Sequence, residues 1–186
     1  MQDSIIVDVL KVNSSTLLDG IGTPNSGVVA KHYSADGHNI TTVLTVNQTD
    51  AITVADNAAL ADGYLLFTFP AGAVAVSSAS MSMAVTLAED TTATADVGLG
   101  MLIGSGANAT LGAVGATAEN VITGQASTNC SGTATVKTIV NQPLAIEAAD
   151  AHTLYFNIAD TWANTAGTDL SGDIAGTVVL QWAKLS

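Results

Sequence analysis

The sequence predicts an all-β fold, an antiparallel β-sandwich or jelly-roll-like domain with short strands and long Gly/Ala/Ser/Thr-rich loops. Three observations carry that reading. From about residue 40 onward, apolar and polar residues alternate with a period of two, as in strands that bury one face. Asp-Gly pairs beginning at Asp19, Asp36 and Asp62, with further Asn/Gly/Ser clusters, punctuate the runs. No segment offers the long amphipathic helices that crossovers in a parallel α/β fold require. A sandwich, a jelly roll and a Greek-key barrel all satisfy this pattern. With 186 residues the chain is one ordinary domain, large enough to bury a core without disulfides or metal.

Ile5 to Val12 is strand-like and Gly27 to Tyr33 is a second short candidate, with little periodicity between them. Residues 1–39 therefore read either as a leading strand with an arm that docks on a neighbour, or as an edge strand with a long loop. Residues 40–186 form the sandwich domain. Ile40 to Val46 is rich in β-branched residues, and Ala51 to Val54 is a short candidate. Tyr64 to Phe69 starts after Asp62-Gly63 and is stopped by Pro70-Ala71-Gly72. Ala73 to Val76 is again short. In Ser80 to Leu87 the side chains of Met81, Met83, Val85 and Leu87 share one face, and small or polar residues the other.

Thr94 to Ile103 is a further strand region, whose Gly98 and Gly100 mark a bulge or a close backbone approach. Residues 104–132 read as a long surface excursion anchored by Leu111, Val114, Val121 and Ile122. Thr133 to Val140, Pro143 to Ile146 and His152 to Ile158 follow, and Thr161 to Thr168 has room for one short helical turn. The last strand, Ile174 to Trp182, turns Ile174, Gly176, Val178, Leu180 and Trp182 to one side. The expected inward faces are those of Met81 to Leu87 and Ile174 to Trp182.

Sixteen acids against four lysines and no arginine give a formal charge of −12. Such a chain lacks the clustered cations that read a nucleic-acid backbone, and the bidentate clamps that only arginine supplies. Anionic membranes repel it. The amino terminus, Met1-Gln2-Asp3-Ser4, has no basic region leading into an apolar one, so no secretory leader is expected, and no apolar run reaches the length of a membrane span.

Few constellations point to chemistry. Gly98 to Gly106 is glycine-rich but lacks the Lys-Ser/Thr pair and helix of a phosphate loop, and reads as tight β packing or a turn. His32 and His38 flank Asp36-Gly37 without zinc spacing and read as a polar turn; His152 reads as a capping or surface hydrogen-bonding residue. Asp160, Asp169 and Asp173, with Asn157 and Asn164, offer either oxygen ligands for calcium or a merely solvated acidic loop. Cys130, the single cysteine, lies in a polar run and reads as an unactivated thiol in or near a turn. No catalytic residue, cofactor or metal is assigned. The uncharged run Gly98 to Ala118 is the preferred contact segment, with Gly98, Leu99, Gly100, Met101 and Leu102 foremost; a solvent loop is the alternative. Trp162, in a polar loop, is a candidate subunit contact, and Ile5, Ile6, Val7 and Leu10 a candidate edge contact.

In the carboxyl-terminal third, Ile146 to Trp162 and Gly176 to Trp182 resemble the virion structural proteins of tailed bacteriophages. Asp96 to Gly100 and Glu119 to Gly124 share the resemblance, which spans roughly residues 80–185 and rests on phrase and composition. It implies a small β-rich head protein that decorates or stabilises the outside of an icosahedral capsid. Its partner would be the major capsid protein shell, and trimers are frequent. A phage tail, fibre or host-attachment domain is one alternative. A bacterial surface adhesion module is another, and a hydrolase or lyase on a jelly-roll scaffold would need a His/carboxylate cluster that the spacing does not show.

Overall fold

A computed structural model describes residues 21–34, 38–54, 60–87, 94–128, 130, 135–147, 150, 152–160 and 170–185. The strands are β1 (Thr23–Pro24), β2 (Val28–Tyr33), β3 (Asn39–Val54), β4 (Ala61–Thr68) and β5 (Val74–Leu87), then β6 (Thr94–Gly100), β7 (Ile122–Thr128), β8 (Thr135–Ile146), β9 (Thr153–Ala159) and β10 (Leu170–Lys184). Between β6 and β7 lie a four-residue helix α1 (Leu111–Val114) and a single 3-10 turn (Ala116–Ala118). They form two five-stranded antiparallel sheets, ordered β1-β4-β9-β6-β7 and β2-β3-β10-β5-β8.

The pairing is nested. β6 pairs with β7, and outside that hairpin β5 pairs with β8, β4 with β9 and β3 with β10. The chain from β3 to β10 is thus one long antiparallel hairpin with its tip at β6–β7. Successive pairs fall in alternate sheets, and the lateral pairings β10·β5 and β6·β9 join them within each sheet.

The expected inward faces are borne out. Met81, Met83 and Val85 of β5, with Ile174, Val178, Leu180 and Trp182 of β10, are buried against Leu99 of β6 and Leu154, Phe156 and Ile158 of β9. At one end Phe67, Phe69 and Trp182 stack edge to face, with ring centroids 5.2 and 5.5 Å apart, so the aromatic row bridges the two sheets. Such pairs add about 0.5–1.5 kcal/mol each beyond their burial.

Several runs that look separate in sequence are single strands interrupted by bulges. Ser77 is the extra residue on β5 relative to β10. It shifts the inward phase from Val74 and Val76 to Ala79, Met81 and Met83, and its hydroxyl donates to the Gln181 carbonyl. On β3 the irregularity falls opposite Asp173, whose carboxylate accepts from the Asp50 backbone N–H, where Asp50 has φ 50°. On β8 the pairing skips Asn141-Gln142-Pro143, and an edge strand tolerates the missing proline N–H. A fourth bulge, on β4, lets the consecutive residues Leu66 and Phe67 both be buried.

Two expectations need correction. The excursion is shorter than expected: Ile122–Thr128 is strand β7, disguised by its single large apolar residue, and the excursion proper is 101–121. His32 lies on β2, half-buried, and not in a polar turn. Of the segment read as a possible arm, Thr23–Pro24 and Val28–Tyr33 pair with β4 and β3 of the same chain, as edges of its own sheets. Residues 1–20 and the segment 161–169 lie outside the described residues.

Two outcomes follow from the core. Leu180 is fully buried, so Leu180→Ala is expected to cost about 2–5 kcal/mol in urea unfolding, since transfer and cavity terms add. Thr42 Oγ1 accepts from Trp182 Nε1 at 2.9 Å and shares a 2.9 Å hydrogen bond with His32 Nδ1, whose direction follows the imidazole tautomer. Burial also lowers the His32 pKa. The fold therefore favours neutral His32, and the unfolded chain takes up the proton first. This contribution is whole above the unfolded value of about 6.5 and is lost as pH falls from there through the lowered folded value. A urea-midpoint profile should show that decline, and His32→Gln should flatten it.

Candidate interaction surface

The outer face of the first sheet is built from small residues. Gly63 of β4 and Gly98 of β6 flank Asn157 of β9 in register, and Ala61 and Asp96 flank Ala159. A Cβ on Gly63 would collide with the Asn157 amide oxygen, and one on Gly98 would lie 2.6 Å from the Ile122 carbonyl and 3.1 Å from Leu111 Cδ1. The β6–β7 register also shifts at Gly98, with the extra residue on β7. Both a bulge and a close backbone approach therefore account for this glycine.

The 101–121 excursion packs on this face. Asn157, fully buried, accepts from the Gly104 N–H at 2.8 Å and donates to the carbonyls of Leu102 at 2.9 Å and Ala118 at 2.7 Å. Leu111 packs on Ala61 and Ala159, with Val114 beside it. Asp96 accepts from the Leu111 N–H, Thr110 caps α1 through Ala113, and Glu119 accepts from the Gly124 N–H. Leu111, Val121 and Ile122 are buried as the expected anchors, and Val114 partly so. The amide of Asn157 is committed to this clamp.

The excursion leaves an apolar groove along its flank. Met101, Leu102, Thr117 and Asn120 face Leu144, Ala145 and Ile146 of β8 across a cavity of about 240 Å³, with Asp150 at the rim. That is below the roughly 300 Å³ at which small-molecule pockets begin, and suits one or two side chains of a protein partner. Beside it Leu102 and Ile103 are 47% and 39% exposed. A second exposed apolar pair, Val29 at 59% and Tyr33 at 51%, lies on β2 with the exposed Lys31 between them.

Of the candidate contact residues, Gly98, Leu99, Gly100 and Met101 are buried within the chain. Leu102 alone of that run presents its side chain, joined by Ile103. Ile5, Ile6, Val7, Leu10 and Trp162 lie outside the described residues, as do Asn164 and Asp169. Asp160 is buried at the end of β9 while Asp173 is exposed and turned to Asp50. Among the described residues no three His, Cys, Asp or Glu side chains gather where they could hold a metal ion. Cys130 is buried in a turn with φ 41°, and burial pushes its thiol up to about 11, the opposite of an activated nucleophile. His152 bridges two backbone carbonyls, Pro70 at 2.6 Å and Glu147 at 3.2 Å, and so ties two loops together. Sequence reasoning missed the groove and the β2 row. Alternation at Val29, Lys31 and Tyr33 was available as a signal; the facing of residues 101–120 and 144–146 was not.

No known protein family, curated protein or solved structure matches the chain.

The clamp has a measurable consequence. Asn157→Leu leaves the Gly104 N–H and the Leu102 and Ala118 carbonyls without their partner. A loss of about 2–4 kcal/mol is expected in chemical unfolding. Hydrogen exchange at Gly104 should accelerate more than exchange in β10.

Proposed function

We propose that the chain is a non-enzymatic virion structural protein that decorates or stabilises the outside of an icosahedral phage capsid, as a homotrimer on the major capsid protein shell. The observation that carries this reading is the strand order. β3-β10-β5-β8 facing β4-β9-β6-β7 supports reading the two sheets as a jelly roll, in which a long hairpin is rolled into two four-stranded sheets, and jelly rolls recur in viral capsid domains. β1 and β2 widen it at one side.

The surface chemistry agrees with adhesion. Across the outer face of the second sheet, Thr41, Val43 and Thr45 of β3 lie in register with Gln181, Val179 and Thr177 of β10, and those with Ser78, Ser80 and Ser82 of β5. None carries a charge, in a chain whose formal charge is −12. Small side chains permit close approach, and many weak contacts repeated over a lattice add up. The formal charge of −12 supports an exterior position, because packaged DNA would repel so acidic a chain.

Cryo-EM of particles that carry the protein, paired with thermal disruption of particles with and without it, tests this reading. The expected outcome is density on the outer face of the head and a higher disruption temperature when it is present, since binding only the assembled shell stabilises that state. Density inside the head or on the tail overturns the location. Saturated outer density with unchanged stability would replace cementing by display.

A further inference from the structure

We propose that copies of this chain associate head to tail, with the outward row of β2 in one copy, Val29, Lys31 and Tyr33, seated in the groove between the 101–120 excursion and β8 of the next. This rests on the reading of a self-assembling surface protein and names the contact it uses. The two patches are complementary. The groove has an apolar floor in Met101, Leu102, Leu144 and Ile146, and an exposed carboxylate at its rim in Asp150. The β2 row places one exposed lysine between two exposed apolar side chains, in a chain with only four lysines and no arginine. Tyr33 supplies the kind of amphipathic anchor that dominates protein interfaces.

Position rules out contact within one copy. β2 and β8 are the two opposite edges of the same five-stranded sheet. One copy cannot bring its own β2 to its own groove, because three strands, roughly 4.8 Å apart, lie between them. Two copies cannot satisfy both patches by a twofold axis through either patch, since each patch meets the other and not itself. Such contacts generate rings where the rotation closes, and a trimer is the smallest ring beyond a pair. Each chain then makes two contacts, so a modest one suffices.

Sedimentation velocity of the full chain, with charge exchange across the contact, tests this. The wild type is expected to form a concentration-dependent oligomer. Tyr33→Ala should weaken it by about tenfold or more. Lys31→Glu alone and Asp150→Lys alone should each weaken it, and the double variant Lys31→Glu/Asp150→Lys should restore it, because glutamate then meets lysine. All three side chains are exposed, and circular dichroism checks that the fold is kept. A wild type that sediments as a monomer at its highest soluble concentration overturns the proposal, as does an oligomer indifferent to these changes. An oligomer lost only with Val7→Asp would move the contact to the amino-terminal segment and equally overturns it. Pelleting with capsids separates the two readings: a monomer that still binds shells leaves decoration standing while this contact fails.

Discussion

β10 lies between β3 and β5 and hydrogen-bonds to both along nearly its whole length, so the last strand of the chain occupies the middle of a sheet. Everything else is arranged around that insertion. Trp182 extends the aromatic row through Phe69 and Phe67 into the opposite sheet, and its indole N–H reaches Thr42 on β3. The bulges at Ser77 and beside Asp173 keep apolar side chains inward on long strands that would otherwise lose phase. Because β3 and β10 are the outermost pair of the nested hairpin, their closure costs the most chain entropy and comes with the most long-range contacts.

The first sheet solves a different problem. Its outer face would be a bare surface of Gly63, Gly98, Ala61 and Ala159, with too little side chain to cover its own backbone. The 101–121 excursion lies on it and is held by one amide, Asn157, which meets a donor and two acceptors at once. The glycines are the condition for that approach, and the approach lifts Leu102 and Ile103 to the surface beside β8. This exposed apolar pair is thus a by-product of how the sheet is covered. On the second sheet the threonine, serine and valine row across β3, β10 and β5 carries no charge. In a strongly acidic chain, surfaces without carboxylates are where like-charged copies can approach closely.

Much of this was legible in the sequence because strand alternation is local. Met81 to Leu87 and Ile174 to Trp182 announce their buried faces directly, and Gly98 announces a bulge and a close neighbour. Leu111, Val114, Val121 and Ile122 stood out as anchors in an otherwise small and polar stretch. Reading failed where a bulge broke the period: Val74–Leu87, Asn39–Val54 and Thr135–Ile146 each looked like two fragments. It failed also at Ile122–Thr128, where packing against β6 makes a strand of residues with little strand signal of their own. His32 looked like part of a turn because the hydroxyl that receives it, on Thr42, is ten residues away across a strand pair.

The sequence by itself determined the class of fold, the inward faces of its strongest strands and the absence of a basic surface, since composition and period-two patterning depend on nearest neighbours alone. The tertiary structure decided which strands are neighbours, because nested pairing is set by long-range closure that no local pattern encodes. It also decided that Asn157, plain in the sequence, holds the excursion down, and that the conspicuous Leu99 and Met101 are spent on the core. Burial of a side chain is a property of what folds over it, and here that cover comes from residues far along the chain.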